Sequence, residues 1–547
     1  MNHDRKERSH RSRRRYAGLI LGFAASLAIA ACGSSGSTGT SGAAGTGTSP
    51  GSSHSSGNVK QAITVGGWDY NTLDPGATVG FLGPELPQAE PIYGLLFDPP
   101  ATTGGAFVPD LATGYSYAKD FKSVTITLRA GETFQDGTPF NAAAIVSNIH
   151  RYSGAVSPNK QWYNNIARAT AVNATTVKVS FTSPDTNFID MLAYTTGGLF
   201  SSPTALAKAG AAKYGLHAVG AGPFEVASFT PGQELDLVPY PKYWDASKVK
   251  LTSLKYINTP EDATVAYQDL VSGSIDNDTL GATSAPANVL EEAKNNSSLS
   301  MVPGPDNTYL IATLNTTKAP FNNPVARQAI AYCTDQQALA TAIAPGFMNP
   351  TYVMGGSSAT YYPYGSTSAA KAAYPYQYSA AKATALVKQL GGLSFALTNF
   401  GGLYDTVANA LAQTWKACGI NAQVSTVTGP ALEQGFASGG FQMSVTVEGG
   451  LNSPLFYRSF QQEGTPQASH IIDPLGSQIP DLVQQLSTTN DASALQNIVN
   501  QLTTATNQSA ALIPLVSGPN YSISNKCLTG INLNGFGANF SFASRTC

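Results

Sequence analysis

Alternation of hydrophobic and polar residues predicts two strands in the first half of the chain, at residues 123–129 and 175–181. The intervening residues 141–152 have a different period, with Ile145 and Ile149 four positions apart on one side. That spacing is typical of an amphipathic helix, which begins after Asn141 because an asparagine side chain caps free backbone N–H groups. These segments predict a strand-rich region with a helix between its strands.

Helical and extended patterns alternate through the rest of the chain. Further strands are predicted at residues 62–68, 393–398 and 420–427. Helices are predicted at residues 323–332, 335–344, 379–390 and 404–418. The order indicates a mixed α/β protein with open sheets.

The first 31 residues have the pattern of a secretory signal peptide. Arginines and lysines precede an apolar run at residues 17–31, which is about 15 residues long and short of the roughly 20 that span a bilayer. Small residues come directly before Cys32, as in a bacterial lipobox, where the thiol is acylated. The alternative is an incidental cysteine beside an ordinary cleavage site. The paired arginines at residues 13–15 leave Sec and twin-arginine export both open.

Composition bounds the rest of the molecule. Residues 32–57 are almost entirely Gly, Ser, Thr and Ala, which predicts a flexible tether carrying the lipid. Residues 58–547 exceed a single-core domain and predict two or more lobes. A formal net charge of −2 with 12% charged residues gives no indication of nucleic-acid binding. No second hydrophobic run is long enough to span a membrane.

Four cysteines follow Cys32, namely Cys333, Cys418, Cys527 and Cys547. Four thiols allow three pairings, and sequence alone does not choose among them. We favour Cys333–Cys418, on two helices of one lobe, and Cys527–Cys547, which would hold the C-terminal tail. A buried free thiol at Cys333 stays an alternative. The spacing is wrong for a zinc site, which needs close ligand pairs.

Nine short blocks, in order, resemble the bacterial extracellular solute-binding protein family 5, the peptide- and nickel-binding proteins of ABC importers. The most specific is residues 128–142 (LRAGETFQDGTPFNA). The others include residues 92–99, 108–115, 219–226, 240–245, 270–276, 315–316, 320–321 and 325–332. Asp136-Gly137-Thr138-Pro139 forms a turn in which the glycine supplies a positive φ. Gly220 and Gly222 allow close backbone approach.

The resemblance implies an α/β, two-lobed periplasmic-binding-protein-like fold (type II, cluster C) with an extra subdomain in lobe one. Lobe one would comprise residues 58–310, with the subdomain inserted at about 92–214, and lobe two residues 311–515. Residues 516–547 would return to lobe one, and residues 309–315 would be a crossing strand. Solute would be trapped between the lobes by hinge closure.

One departure from the family pattern bears on the ligand. Peptide-binding members usually carry an Asp in a Trp/Gly-rich loop, where it meets the peptide ammonium, and residues 441–454 contain no Asp. Glu448 as the anion, or Asn452 as a neutral partner, would take that role; an exposed loop acid is the alternative for Glu448.

Position in the fold adds further predicted contacts from an aromatic-lined cleft. These are Trp68, Asp69, Tyr70, Phe81, Tyr93, Tyr309, Asn315 and Phe400.

The resemblance implies a binding protein, without catalytic residues, metal or cofactor, for a small solute such as a peptide. Its partners would be importer permeases and, through the lipid anchor, the outer face of the cell membrane, in the periplasmic space or at the cell surface. The protein would act as a monomer. No HExxH, GxSxG or phosphate-binding loop occurs. The alternatives are a surface-anchored receptor or hydrolase on the same fold, or a metal- or haem-binding member.

Overall fold

Three β-sheets of four or more strands, together with three two-stranded sheets, organise the described part of the chain. The computed structural model describes residues 61–67, 71–77, 85–100, 105–154, 157, 159–259, 262–449, 478–533 and 537–547. The strands are β1 (Ala62–Val65), β2 (Phe97–Asp98), β3 (Val108–Pro109), β4 (Ala112–Tyr117), β5 (Ser123–Leu128), β6 (Ile166–Asn173), β7 (Thr176–Phe181), β8 (Phe224–Thr230), β9 (Glu234–Pro239), β10 (Ser253–Ile257), β11 (Asn277–Gly281), β12 (Leu299–Pro303), β13 (Thr308–Leu314), β14 (Asn349–Pro350), β15 (Leu393–Asn399), β16 (Ile420–Thr426), β17 (Met443–Gly449), β18 (Leu512–Gly518), β19 (Asn520–Asn525), β20 (Leu528–Thr529), β21 (Asn532–Leu533), β22 (Ala538–Asn539) and β23 (Ser544–Arg545).

Helices connect and cover these strands. They are α1 (Glu85–Tyr93), α2 (Ala142–Tyr152), α3 (Lys160–Tyr163), α4 (Phe188–Tyr194), α5 (Pro203–Ala209), α6 (Ala211–Tyr214), α7 (Ala263–Ser272), α8 (Ala287–Asn295), α9 (Pro324–Cys333), α10 (Gln336–Ile343), α11 (Thr367–Ala373), α12 (Ala380–Gln389), α13 (Leu403–Lys416), α14 (Gly429–Ser438), α15 (Gln478–Leu486) and α16 (Ala492–Ser509). Short 3₁₀ turns occur at Thr196–Gly198, Ala246–Lys248 and Pro363–Gly365. Among the described helices, none is both long and apolar enough to cross a bilayer.

The first sheet has seven strands in the order β12-β19-β11-β1-β10-β9-β8. β1 runs parallel to both β10 and β11, whereas β19 is antiparallel to β11 and β12. The sheet therefore combines the start of the described chain with a strand from close to its end. β19, from the C-terminal segment, thus lies in the same sheet as β1.

The second sheet has six strands in the order β14-β18-β13-β17-β15-β16. β13 pairs with β17 over all seven of its residues and with β18 from Thr308 to Thr313, and all seven residues are buried. The strand predicted to cross between lobes is thus a central strand of this sheet. The chain crosses just before it, at residues 304–307, and again at Pro519, between β18 and β19. Because β13 is hydrogen-bonded on both edges to strands of the second sheet, it lies within that sheet and does not extend into the first.

The third sheet, in the order β4-β5-β7-β6, confirms the strands and helix predicted from hydrophobic periodicity. In β5, Val124, Ile126 and Leu128 are buried, as alternation requires. α2 begins at Ala142, and the Asn141 side chain accepts a hydrogen bond from the Ala144 N–H at 3.0 Å. The predicted cap is therefore present.

The two predicted glycine roles are also present. Gly137 has a φ of 79°, in the left-handed region that glycine enters without steric cost. A Cβ on Gly220 would lie 2.2 Å from the carbonyl oxygen of Ile92, too close for any side chain. Gly220 thus lets the strand that follows pack directly against the end of α1.

The disulfides join Cys333 to Cys418 and Cys527 to Cys547, the two pairs that the sequence analysis favours. Their Cα atoms are 6.4 Å and 5.3 Å apart. Cys333 and Cys418 are both buried, so this bond links the end of α9 to the end of α13 inside the core. The second bond holds the last residue of the chain beside β20.

Hydrophobic cores extend between the sheets. One cluster joins α7 and α8, which flank the first sheet, to the second sheet and its helices. Another joins the third sheet to β13, α15 and α16. A third fills the space beneath the first sheet and α1.

The lobe boundaries predicted at residues 310 and 515 both fall within strands of the second sheet, β13 and β18. The chain passes between the sheets a few residues away from each predicted boundary.

Candidate functional site

A cavity of about 320 Å³ opens between the first and second sheets. From the first sheet and its surroundings it is lined by Val65, Gly66, Gly67, Pro87, Gln88, Tyr256, Asp278, Thr279, Gly281, Thr283, Ser284, Asn520, Gly537, Ala538 and Phe540. From the second sheet and α13 it is lined by Thr308, Tyr404, Val447 and Gly449. Both halves of the fold therefore contribute walls to one space.

The floor of the cavity forms where β1 ends. Val65 pairs with Asn277, so β11 begins beside the end of β1 and continues past it. The next residues after β1 are Gly66 and Gly67, and a Cβ on Gly66 would lie only 2.7 Å from Asp278 Oδ2. A glycine at residue 66 thus allows the carboxylate of Asp278 to pack directly against the backbone. This placement at the C-terminal end of a parallel strand is where ligands bind in open α/β sheets.

Asp278 is a buried acid in this wall, with only 5% of its surface exposed. Its Oδ1 accepts a hydrogen bond from the Thr279 N–H at 2.6 Å. Burial raises the pKa of Asp278 to about 6, although hydrogen bonds from Thr279 and Thr259 act in the opposite direction. Thr259 Oγ1 also accepts a bond from the Gly67 N–H at 2.8 Å, which holds the loop after β1 against the same acid.

Hydrogen bonds from threonine hydroxyl groups connect the cavity wall to the two places where the chain passes between the first and second sheets. Thr308 Oγ1 donates to the Gly518 carbonyl at 2.5 Å, and Thr283 donates to Thr308 Oγ1 at 3.4 Å. These bonds connect residues beside both crossing points, and Thr283 and Thr308 also line the cavity. A change in the angle between the sheets would therefore change the shape of the cavity.

Phe400 lies half-buried beside this wall rather than in it. Its ring centroid is 4.0 Å from that of Tyr404, which does line the cavity. Tyr404 is thus the aromatic residue that lines the cavity, and contact between Phe400 and a ligand stays a prediction.

Three other predicted contacts lie in the protein interior. Tyr93 is fully buried, and its hydroxyl donates to the Leu73 carbonyl at 2.7 Å. Tyr309 is fully buried within β13. Asn315 donates to the carbonyls of Gly439 and Phe441 at 3.1 and 3.0 Å. None of the three is among the described residues that line the cavity.

Glu448 is half-buried near the end of β17, directly across from Tyr309 of β13. Its neighbours Val447 and Gly449 line the cavity, whereas Glu448 does not. Successive side chains of a strand point to opposite faces, which explains the difference. Burial raises the pKa of Glu448 to about 7.

The remaining predicted site residues lie outside the described residues. They are Trp68, Asp69, Tyr70, Phe81, Asn452 and the lipidation residue Cys32. The described residues immediately before Trp68, Gly66 and Gly67, do line the cavity.

Sequence reasoning missed Asp278, Gln88 and Tyr404. Asp278 stands two positions after the block at residues 270–276 that carries the family resemblance. An acid in a strand of buried residues was the available signal, because a charge is costly to bury without a purpose. Gln88 and Tyr404 lie on helices, and the sequence around each of them contains no pattern that indicates a binding site.

Candidate metal-ligating side chains do not cluster in the described residues. Within them, no group of three or more His, Cys, Asp or Glu side chains is placed to hold a metal ion.

Comparison with known proteins places the chain in a family. Residues 106–464, well over half of the 547, match the family model described as "Bacterial extracellular solute-binding proteins, family 5 Middle". The chain belongs to this family. Among relatives of this solute-binding protein, the glutathione-binding protein GsiB of Shigella flexneri is 28% identical over 447 residues, covering 77% of this chain and 82% of the relative. GsiB of Escherichia coli O1:K1 / APEC is 27% identical over 444 residues, with the same coverage.

Solved structures confirm the two-lobed fold of this solute-binding protein. Helicobacter pylori DppA, in complex with the peptide STSA, matches with a TM-score of 0.74 at 18% identity, covering 89% of this chain and 98% of that one. Haemophilus influenzae OppA, in complex with RPPGFSPFR, matches at 0.73 and 16%, covering 90% and 100%. Staphylococcus aureus NikA, with Ni(L-His)₂, matches at 0.72 and 16%, covering 89% and 100%.

Proposed function

We propose that this protein is the extracytoplasmic receptor of an ABC importer and captures an oligopeptide or a related organic solute in the cavity between its two sheets. The observation that carries the proposal is the cavity itself, because both halves of the fold supply its walls. A solute that touches both halves favours the closed arrangement over the open one, by the difference in its affinity for the two.

The cavity has the composition of a binding site for a small organic molecule. Tyr256, Tyr404 and Phe540 supply aromatic surface, and hydroxyl and amide groups such as Thr283 and Gln88 supply hydrogen-bonding positions. The relatives support a peptide-like ligand, since GsiB is named for glutathione and the DppA and OppA structures contain peptides. Nickel, present with NikA, gains no support from the side chains described here.

Release of bound solute tests this function directly. We expect the full-length protein, purified without added ligand and then denatured, to release a small organic solute that mass spectrometry identifies. Isothermal titration of that solute into refolded protein should show binding at about one molecule per chain. The solute should be recovered chemically unchanged after prolonged incubation. Its consumption would instead support a hydrolase on the same fold.

The signal sequence supports a second element of the proposal, an acyl anchor at Cys32 that tethers a monomeric receptor to the outer face of the cell membrane. Its partners would be the permease subunits of the importer, which receive the solute when the closed lobes dock. The small-residue tract at residues 33–57 has the composition typical of a tether.

Cys32→Ser tests the anchor. We expect the substitution to move the protein from the detergent phase to the aqueous phase on Triton X-114 partitioning, because the acylated thiol is lost. Ala31→Gly, which keeps a small residue before the cysteine, is the matched control and should stay in the detergent phase. Equal partitioning of the Cys32→Ser and wild-type proteins would remove the anchor from the proposal.

A further inference from the structure

The cavity between the sheets has an unbalanced charge in its described lining. Asp278 is the one carboxylate there, and no Lys, Arg or His stands among the described lining residues. The other polar groups are hydroxyls, amides and backbone. A ligand entering this space therefore meets one acid and no base from the described walls.

Asp278 is held rigidly in that lining. It is the second residue of β11, paired with Ile523 of β19, and its carboxylate packs against Gly66 and Gly67. The Thr279 N–H donates a hydrogen bond to Asp278 Oδ1 at 2.6 Å, which fixes the orientation of the carboxylate. Its direction is therefore set before any solute arrives, which reduces the entropic cost of a contact.

The charge of Asp278 has no protein counter-ion among the described residues. The described ion pairs involve Asp74, Glu234, Asp236, Asp245, Asp276 and Glu291, and not Asp278. Asp269 is the charged group that influences Asp278, and because it is also an acid, its charge raises the pKa of Asp278 further. A buried carboxylate of this kind gains free energy when a cation reaches it.

We propose that Asp278 contacts a positively charged nitrogen of the bound solute, so that the receptor selects zwitterionic or cationic amines, including short peptides with a free amino terminus. This inference rests on the proposed function. It adds that the anionic contact comes from the first sheet, through Asp278.

Two tripeptides that differ in one charge test the contact. Tri-alanine carries a terminal ammonium group, and N-acetyl-tri-alanine does not. Titration calorimetry on the full-length protein, unfolded and refolded to remove resident solute, should show tri-alanine binding at least about tenfold more tightly. Asp278→Asn should weaken tri-alanine binding by about 10- to 100-fold and leave the acetylated peptide within about threefold.

Asp236→Asn is the matched control. Asp236 is an acid of the same sheet, but it is paired with Lys255 and lies outside the described cavity lining. We expect this variant to bind both tripeptides as the wild type does. The melting temperature of each variant should be recorded, and Asp278→Asn should remain folded because it keeps the size of the side chain and removes a buried charge.

The outcomes separate the inference from the proposed function. Equal binding of both tripeptides by the wild type, or unchanged discrimination in Asp278→Asn, would overturn the inference and leave a solute receptor. If neither tripeptide binds, the solute released on denaturation decides: a molecule without a basic nitrogen overturns the contact, and one that has it and loses affinity in Asp278→Asn supports it. Release of no solute together with no tripeptide binding would count against the proposed function itself.

Discussion

Arg151→Ala should lower the free energy of unfolding by about 3–5 kcal/mol, because it leaves a buried carboxylate without its counter-ion. Arg151, in the last turn of α2, donates from Nη2 to Asp74 Oδ2 at 2.5 Å. The Asp74 side chain is 2% exposed and that of Arg151 21%. The pair joins the helix beside the third sheet to residues 71–77, which follow β1, so its loss should also loosen the contact between these two parts.

Urea unfolding followed by tryptophan fluorescence gives the measurement. The double variant Asp74→Asn/Arg151→Met should be more stable than Arg151→Ala, since it removes both charges rather than one. Lys248→Ala is the control, because Lys248 is 65% exposed in its pair with Asp245 and should cost no more than about 1 kcal/mol. If Arg151→Ala and Lys248→Ala had equal effects, the buried pair would not carry the stability assigned to it.

Asp98→Asn should stabilise the protein at pH 8 by an amount on the order of 2–4 kcal/mol and leave it unchanged near pH 3.5. Asp98 ends β2 and is half-buried, close to the two buried acids Glu90 and Asp110. Burial and the charge of Asp110 raise the pKa of Asp98 from its ordinary 3.8 to about 7. Asp110 is better suited to carry the charge, because it accepts hydrogen bonds from Tyr243 and Trp244 at 2.8 and 2.6 Å.

The direction of the pH dependence follows from proton linkage. The folded state holds a proton on Asp98 more tightly than the unfolded state, so stability is lost as pH rises from about 3.8 to about 7. Asparagine does not titrate, and the difference between variant and wild type should therefore grow through that interval and stay constant above it. Thermal unfolding at pH 3.5, 5, 6 and 8 measures the difference.

Glu292→Gln, at an exposed position of α8, is the control for a general loss of negative charge. We expect its effect on thermal unfolding to be small and nearly independent of pH. A constant difference between Asp98→Asn and the wild type from pH 3.5 to pH 8 would show that Asp98 ionises in the folded protein as it does in the unfolded chain.

Local structure was largely predictable from the sequence. The period of two in β5, the cap at Asn141 and the positive φ at Gly137 each depend on neighbours only a few residues away, and all are present. Family blocks extended that local information to a two-lobed fold, because they had to occur in the right order along the chain.

The candidate site was predictable only in outline. The predicted contacts Trp68, Asp69 and Tyr70 follow Gly66 and Gly67 in the sequence, and these two glycines line the cavity. Aromatic residues such as Tyr93 were assigned to ligand from their position in the sequence, whereas the fold buries Tyr93 against Leu73. Whether an aromatic ring faces a cavity or a core depends on the elements packed around it, which sequence position does not specify.

The sequence by itself determined the α/β class, the family and most local elements, because these depend on neighbouring residues or on the order of short blocks along the chain. Tertiary structure decided that Asp278 rather than Glu448 lines the described cavity. That outcome requires β11 to lie beside β1, and the end of β17 to approach from the second sheet. Strand pairings between residues about 200 positions apart bring these groups together, and a local sequence pattern does not predict such long-range pairings.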